Sequence, residues 1–396
     1  MRVAVVTKQF PTSHQEWNGH SAYQTIRVLA TMCDLHVFFP ETVYPALLDP
    51  RSKHRPALDR TWNPPGVQVS YIPFPVIPVV SRALNGTMIA RYLLPDVSRF
   101  KPDILLSYFI YPDGYAAVRM GHLLGIPAVV TAVGSDIHSV HDVFCRRLTH
   151  TTLHNAAFVS TVSEDLRNKA VVMGADPART RTKLNGCDTT VFYPRDRGEA
   201  RQSLHIDPDA KVIVYIGRLD VRKGLIELID AVAQLLPQRP NLHCYIVGDG
   251  QDEPAVSEAI ARHHAAAHIT LVPGCPTTTV ATWMAAADLV SLPSYNEGCP
   301  NVVIEALSAG RPVVATTVGG IPELMDNTCG RLVPPMDTPA LAQALDEVLT
   351  ATWDAEAISS RRSRSWTDVA QELYAVLGDT LARHTVRRGA EPWDRS

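Results

Sequence analysis

Asp288-Leu289-Val290-Ser291-Leu292-Pro293-Ser294-Tyr295-Asn296-Glu297-Gly298-Cys299-Pro300-Asn301-Val302-Val303-Ile304-Glu305-Ala306-Leu307 reads as a strand, a turn and a helix in one run. The short apolar stretch 288–292 has the length and the β-branched or aliphatic content of a buried strand. Gly298 and Pro300 break it, and Pro300 suits the first turn of a helix, where its missing N–H costs nothing. The apolar run 302–307 continues as that helix. Two carboxylates, Glu297 and Glu305, stand eight residues apart across the turn. At roughly 3.6 residues per turn Glu305 lies about one and a half turns into the helix, and Glu297 sits in the loop before it. The backbone N–H groups after Pro300 then point at whatever lies in front, where the helix dipole favours an anion.

Working outward, β-branched runs alternate with helical patterns along the whole chain. The spacing predicts strands at 3–7, 35–39, 67–72, 104–108, 128–132 and 158–161, with amphipathic stretches such as 21–31 and 114–124 between them. A charged break, Tyr193-Pro194-Arg195-Asp196-Arg197-Gly198-Glu199, reads as a linker. The pattern then restarts, with strands at 212–216, 242–247, 269–272, 289–292, 313–315 and 331–333 and helices at 225–236, 277–287, 302–309 and 339–351. Strands apolar on both faces and separated by helices mean parallel sheets covered on both sides. Two successive doubly wound α/β units follow. In such units ligands bind beyond the carboxyl ends of the strands, and a cleft between the two is the default active site.

Composition agrees with two cores and narrows the class. A chain of 396 residues exceeds one ordinary core. Its 46% hydrophobic and 19% charged content describes a globular protein, and a net charge of −3 carries no polyanion-binding signature, so nucleic acid is not an expected partner. Seven scattered cysteines without a C-x-x-C pair read as free thiols, with Cys33, Cys145 and Cys244 as core fillers. No secretory h-region and no apolar run of about 18 residues is present, so the reading is cytoplasmic.

Several strand ends carry chemistry. The strand at 212–216 runs into Gly217-Arg218-Leu219-Asp220, and Val221-Arg222-Lys223-Gly224 opens a helix. Two or three cations at a strand-to-helix loop match a diphosphate, Arg as a fork and Lys as a point charge, although a solvated basic turn fits as well. Gly248, in Val247-Gly248-Asp249-Gly250, marks a tight turn that permits close backbone approach. Trp17-Asn18-Gly19-His20 follows the first strand without forming the G-x-G-x-x-G fingerprint. Gly134-Ser135-Asp136 ends another strand, as a cleft carboxylate or a helix cap. His263, His264 and His268 read as surface residues, as do His138 and His141, because no metal-ligand spacing recurs. The basic run Arg361-Arg362-Ser363-Arg364 reads as a solvated helix start.

As an ordered set these elements resemble the retaining GT-B glycosyltransferases of family 4, the group 1 type. The resemblance rests on Gly217-Arg218-Leu219 with Lys223-Gly224, Val247-Gly248-Asp249-Gly250, Pro293-Ser294-Tyr295-Asn296-Glu297-Gly298, Pro300-Asn301 and Glu305-Ala306. It continues through Gly310-Arg311-Pro312-Val313-Val314-Ala315-Thr316 and Gly319-Gly320-Ile321-Pro322-Glu323. Val162-Ser163-Glu164, Asn185-Gly186-Cys187-Asp188, Phe192-Tyr193-Pro194 and Ser365-Trp366 fit as well, so that it spans residues 100–375. It implies two Rossmann-like domains facing each other across a cleft: an acceptor-side domain over 1–192, with a C-terminal helix at about 373–396 crossing back onto it, and a nucleotide-sugar domain over 193–372.

The same resemblance implies roles. Arg218 and Lys223 hold the donor diphosphate, with Gly217 and Gly248 in the surrounding turns and Gly19 by the phosphates. Glu305 holds the ribose, Glu297 the transferred sugar, the amides from Gly298 through Val302 the sugar and phosphate, and Asp136 the sugar from the other domain. The loop with Cys275 and Thr277 serves the base by position only. The nucleotide sugar, UDP-linked before GDP-linked, is a co-substrate, and neither cofactor nor metal is implied. A glycan, lipid-linked or small-molecule hydroxyl is the acceptor, in polysaccharide or cell-envelope synthesis. Two departures stand out: Val133 replaces a histidine that contacts the donor sugar in many relatives, and Cys299 stands where phenylalanine is common. A nucleotide-sugar 2-epimerase of the same fold and a non-catalytic binding scaffold are the rival readings. The segment 75–101, apolar with Arg82, Arg91, Arg99 and Lys101, reads either as an amphipathic surface for peripheral contact with an anionic membrane or as a buried helix and loop with solvated arginines.

Overall fold

The computed structural model describes residues 1–44, 58–77, 82–138 and 142–390. The chain divides into two compact units, Met1–Leu184 with Trp366–Ser396, and Asn185–Ser365. The sequence had put these divisions at 192/193 and 372/373.

The first unit holds seven strands: β1 (Arg2–Val6), β2 (Asp34–Val43), β3 (Val69–Pro75), β4 (Ile104–Tyr108), β5 (Ala128–Ala132), β6 (Phe158–Thr161) and β7 (Thr180–Thr182). They pair in parallel in the order β3-β2-β1-β4-β5-β6-β7. Alternation along β1 shows why both faces are apolar. Val3 and Val5 point into a core with Ile26, Leu29, Ile104 and Leu106, while Ala4 and Val6 point the other way, into a core with Ile89, Leu93, Leu105 and Met120. The first core also takes Ala370, Leu373 and Leu377 of the helix Trp366–Ala390. The ring of Trp366 meets that of His20 edge-on at 6.3 Å.

The second unit holds β8 (Lys211–Ile216), β9 (Leu242–Val247), β10 (Ile269–Val272), β11 (Leu289–Leu292), β12 (Val313–Thr316) and β13 (Gly330–Val333). All pair in parallel in the order β10-β9-β8-β11-β12-β13. The order reverses between β8 and β11. Connections leave the two strands in opposite directions, which opens a crevice at their carboxyl ends. The first unit reverses between β1 and β4 in the same way.

Two expectations need correction. The segment read as a linker contains the helix Arg197–Ser203, capped by Asp196, whose side chain accepts from the Glu199 N–H at 2.7 Å. The last helix begins at Trp366 rather than near 373. In the segment 75–101, residues 78–81 lie outside the described residues, and the helix Asn85–Phe100 buries Ile89, Leu93 and Val97 in the core. The apolar side chains that a lipid surface would need are therefore largely spent inside the protein. Among the described residues no helix is long and apolar enough to cross a membrane.

Candidate active site

The residues singled out in the second unit follow the carboxyl ends of its strands, with Arg218 and Lys223 after β8 and Glu297 after β11. Leaving β8, the chain passes Gly217 and the exposed Arg218, and the buried hydroxyl of Tyr215 donates to the Arg218 carbonyl at 2.9 Å. The turn is locked to its neighbour on β9. Gly217 N–H donates to Val247 C=O at 3.0 Å, and Leu219 N–H to Asp249 C=O at 3.0 Å. A Cβ on Gly248 would lie 1.9 Å from the Gly217 carbonyl oxygen, at a φ of +146°. Only glycine allows the two turns to touch.

The three loop cations are used differently. Arg222 is spent on Asp220, with Nη2 2.6 Å from Oδ2, and that bond holds the Asp220 carboxyl down to about 2. Lys223 Nζ instead reaches across to Glu297 Oε1 at 2.7 Å. Glu297 thus lies at the mouth of the crevice, paired with one of the cations expected to meet a diphosphate.

The stretch after β11 builds the other wall. Tyr295 N–H donates to the Arg222 carbonyl at 2.9 Å, fastening this loop to the cation loop. The helix Asn301–Ser308 begins after Pro300 with no side-chain cap and no acidic residue in its first turn. Its positive end is therefore not neutralised from within that turn. Asn185 Nδ2 donates to the Cys299 carbonyl at 3.1 Å and to Asn301 Oδ1 at 3.0 Å, holding the turn that carries the amides of Gly298 through Val302. The Cys299 side chain itself is buried. On that helix Glu305 is half-buried, and loss of solvent around its carboxyl pushes it up to about 7. Behind Glu297, Gly319 has a φ of +53°, and a Cβ there would lie 1.8 Å from the Glu297 carbonyl oxygen. The Gly-Gly pair of the sequence is thus the floor on which the Glu297 loop rests.

Cys275 and Thr277 lie farther along the same row of strand ends, after β10, where Gly274 N–H donates to Asp249 Oδ1 at 3.1 Å. Thr277 starts the helix Thr277–Ala286. The Cys275 thiol is raised by burial and by Asp249.

A model of the family described as "Glycosyl transferases group 1" matches residues 210–351, and one described as "Glycosyl transferase 4-like domain" matches residues 22–186. The chain belongs to the group 1 glycosyltransferases of family 4. It is similar to the putative teichuronic acid biosynthesis glycosyltransferase TuaC of Bacillus subtilis, at 29% identity over 87% of this chain and 88% of that protein. It is 35% identical to the D-inositol 3-phosphate glycosyltransferase of Actinosynnema mirum over 52% of each chain, so only about half of that relative is spanned. The fold matches that of Anabaena Alr3699/HepE, solved in complex with UDP-glucose, with a TM-score of 0.71 over 96% of this chain and 99% of the other at 19% identity. The architecture is GT-B, and the enzyme is a transferase.

In the first unit of this glycosyltransferase, Gly19 is the N-cap of the helix His20–Leu29, directly after the loop that leaves β1. Asp136 is the residue the sequence misplaces. It is 3% exposed, and both its oxygens are taken by backbone: Oδ1 by the N–H groups of Val133 and Gly134 at 3.1 and 2.8 Å, Oδ2 by that of Ile110 at 3.0 Å. Its carboxylate ties the loop after β4 to the loop after β5 and presents no oxygen to a sugar. Val133 packs its side chain against the core on that face. Asp113 is as deeply buried, and burial pushes its carboxyl up to about 7. Of the histidines, His263 pairs with Asp230 at 2.6 Å, and His268 Nδ1 contacts the Leu242 carbonyl at 3.0 Å. The His138 side chain and His141 lie outside the described residues.

Proposed function

We propose that this glycosyltransferase moves a hexosyl group from a nucleotide sugar, UDP-linked in preference to GDP-linked, to a hydroxyl of a cell-envelope glycan or glycolipid, with retention of anomeric configuration. The observation that carries the reading is the Lys223–Glu297 pair across the carboxyl ends of β8 and β11, with Arg218 in the same loop as Lys223 and an uncapped helix N-terminus directly after Glu297.

Breaking the bond from the anomeric carbon to the diphosphate puts negative charge on the leaving oxygens. Arg218, Lys223 and the helix N-terminus supply positive charge that is in place before the reaction, which is where electrostatic catalysis gains most. Because these groups offset the diphosphate, turnover is expected to persist in EDTA. Glu305 accepts from the ribose hydroxyls. Glu297 accepts from hydroxyls of the sugar once Lys223 turns toward phosphate. None of these residues is a free base for inverting attack in this reading: Glu297 is engaged by Ser294 and the sugar hydroxyls, and Glu305 lies on the helix behind it. The leaving phosphate, which gains charge as the bond breaks, is then the group that takes the acceptor proton on the face of departure, and configuration is retained.

UDP is favoured because the fold neighbour Alr3699/HepE was solved with UDP and with UDP-glucose. A cell-envelope acceptor is favoured by the likeness to a teichuronic acid glycosyltransferase over most of both chains. The inositol phosphate glycosyltransferases favour a second reading, a small soluble acceptor. Peripheral membrane contact through 75–101 is left to exposed Ile77, Leu84 and Tyr92 among Arg91, Arg99 and Lys101. Flotation on vesicles with anionic lipid tests it, and no binding at low salt rules it out.

The deciding experiment is donor hydrolysis and transfer with UDP-glucose, UDP-N-acetylglucosamine, GDP-mannose and ADP-glucose, followed by anomeric analysis of the product. Turnover of a UDP-sugar with a retained linkage is expected. A preference for ADP- or GDP-sugars overturns the donor assignment, and an inverted product overturns the mechanism.

A further inference from the structure

Among the described residues, both bonds that Glu297 receives end on one oxygen. Lys223 Nζ and Ser294 Oγ each lie 2.7 Å from Oε1, and Oε2 has no partner. Ser294 is wholly buried, so its hydroxyl has no water to turn to. The residue is also fixed from behind. Thr316 Oγ1, itself 1% exposed at the end of β12, donates to the Ser294 carbonyl at 2.6 Å. A relay therefore runs from β12 through Ser294 to the carboxylate, and it sets which oxygen faces outward.

The two bonds on Oε1 have different fates in the proposed reaction. The Lys223 ammonium is a mobile point charge with three donors, and an incoming diphosphate competes for it. The Ser294 hydroxyl is enclosed and stays. Once the donor draws Lys223 away, Ser294 is what keeps the Glu297 carboxylate in its plane.

We infer that Ser294 is a positioning residue for sugar transfer, its buried hydroxyl fixing Glu297 Oε1 so that Oε2 faces the hydroxyls of the donor sugar. This rests on the reading of Glu297 as the sugar contact.

The test is a double-mutant cycle of Ser294→Ala and Glu297→Ala. Donor turnover is measured with UDP-glucose, or with whichever sugar of the panel above the wild-type chain hydrolyses fastest, and UDP binding is followed by calorimetry. Ser294→Ala is expected to lower kcat roughly tenfold, the scale of a lost hydrogen bond to a charged group, with the UDP Kd changed less than about twofold. In the Glu297→Ala background the same substitution should change kcat by no more than about twofold, because the group it positions is gone. An equal loss in both backgrounds, or an unchanged kcat in Ser294→Ala, overturns the positioning role while leaving the Glu297 assignment intact. Full activity of Glu297→Ala alone overturns the underlying reading. If Ser294→Ala does not fold, Thr316→Val reads the same relay from its far end, with the same expected dependence on Glu297.

Discussion

Glu297 and Glu305 are the same residue type on one short stretch, and their surroundings separate them. Glu297 meets a cation and a hydroxyl at the crevice mouth, whereas Glu305 is pushed up to about 7 by burial. Glu305→Ala should therefore weaken UDP binding by roughly 1.5–3 kcal/mol, the value of a hydrogen bond to a charged group, with little change in the turnover of bound donor. Glu297→Ala should do the reverse, lowering kcat with UDP affinity nearly kept. Calorimetry with UDP beside steady-state kinetics separates the two, and a variant that keeps both parameters loses its assigned role. That these carboxylates stand on one strand-turn-helix was legible, because their spacing fixes where each falls along it. Ser294 stood in the same motif unread, since the target of a hydroxyl depends on its rotamer and on what encloses it. Asp136 was misread for a related reason. Gly-Ser-Asp after a strand looks the same whether its carboxylate faces a crevice or folds back onto three amides.

Elements were legible wherever apolar residues ran unbroken. The strands at 104–108, 128–132, 158–161, 242–247, 269–272 and 289–292 match β4, β5, β6, β9, β10 and β11 residue for residue. Polar elements were not. β7 is only Thr180–Thr182, a short edge strand with an arginine at its centre, and the helix Arg197–Ser203 draws its start from the Asp196 cap rather than from an apolar stripe. Loops depend still less on pattern, and here one side chain holds two of them. Asp136→Asn keeps the acceptor for Val133 and Gly134 but can turn an amide N–H toward the Ile110 N–H, leaving a buried donor unmet. Such a loss costs about 1–3 kcal/mol. The variant should melt lower than wild type yet bind UDP with unchanged affinity while folded, because the residues proposed to hold UDP, Gly19 apart, lie in the other unit. A thermal melt beside a UDP titration decides it, and a weakened UDP affinity at full stability would return Asp136 to the donor site.

At the scale of the molecule, each unit buries carboxyls that prefer to be neutral. Burial raises Asp113 to about 7 and Asp136 to about 6 in the first unit, and Glu305 to about 7 in the second, from ordinary values of 3.8 and 4.5. Between the ordinary and the raised values the folded chain binds more protons than the unfolded one, so these groups lose stability as pH rises and reach a plateau above the folded values. Opposite terms act in acid. His20 and His36 are lowered from 6.5, chiefly by burial, so stability is lost as pH falls below that value. Asp220 and Asp326, held down to about 2 mainly by bonds from Arg222 and from Thr328, matter only as pH falls below 3.8. From pH 6.5 to 8 the imidazoles of the unfolded chain lose the second half of their protons, so the histidine term still adds stability, and the tails of Asp113 and Glu305 outweigh it. Each is worth about 0.8 kcal/mol over that interval by proton linkage. The melting temperature of the nucleotide-free chain should therefore fall by about a degree between pH 6.5 and pH 8. Glu305→Gln, which carries no proton to lose, should show a smaller fall than wild type by the share that Glu305 contributes. Melts of both proteins at the two pH values test the argument. A melting temperature that rises over the interval, or a Gln variant with the wild-type slope, would mean that Glu305 is already ionised in the folded chain.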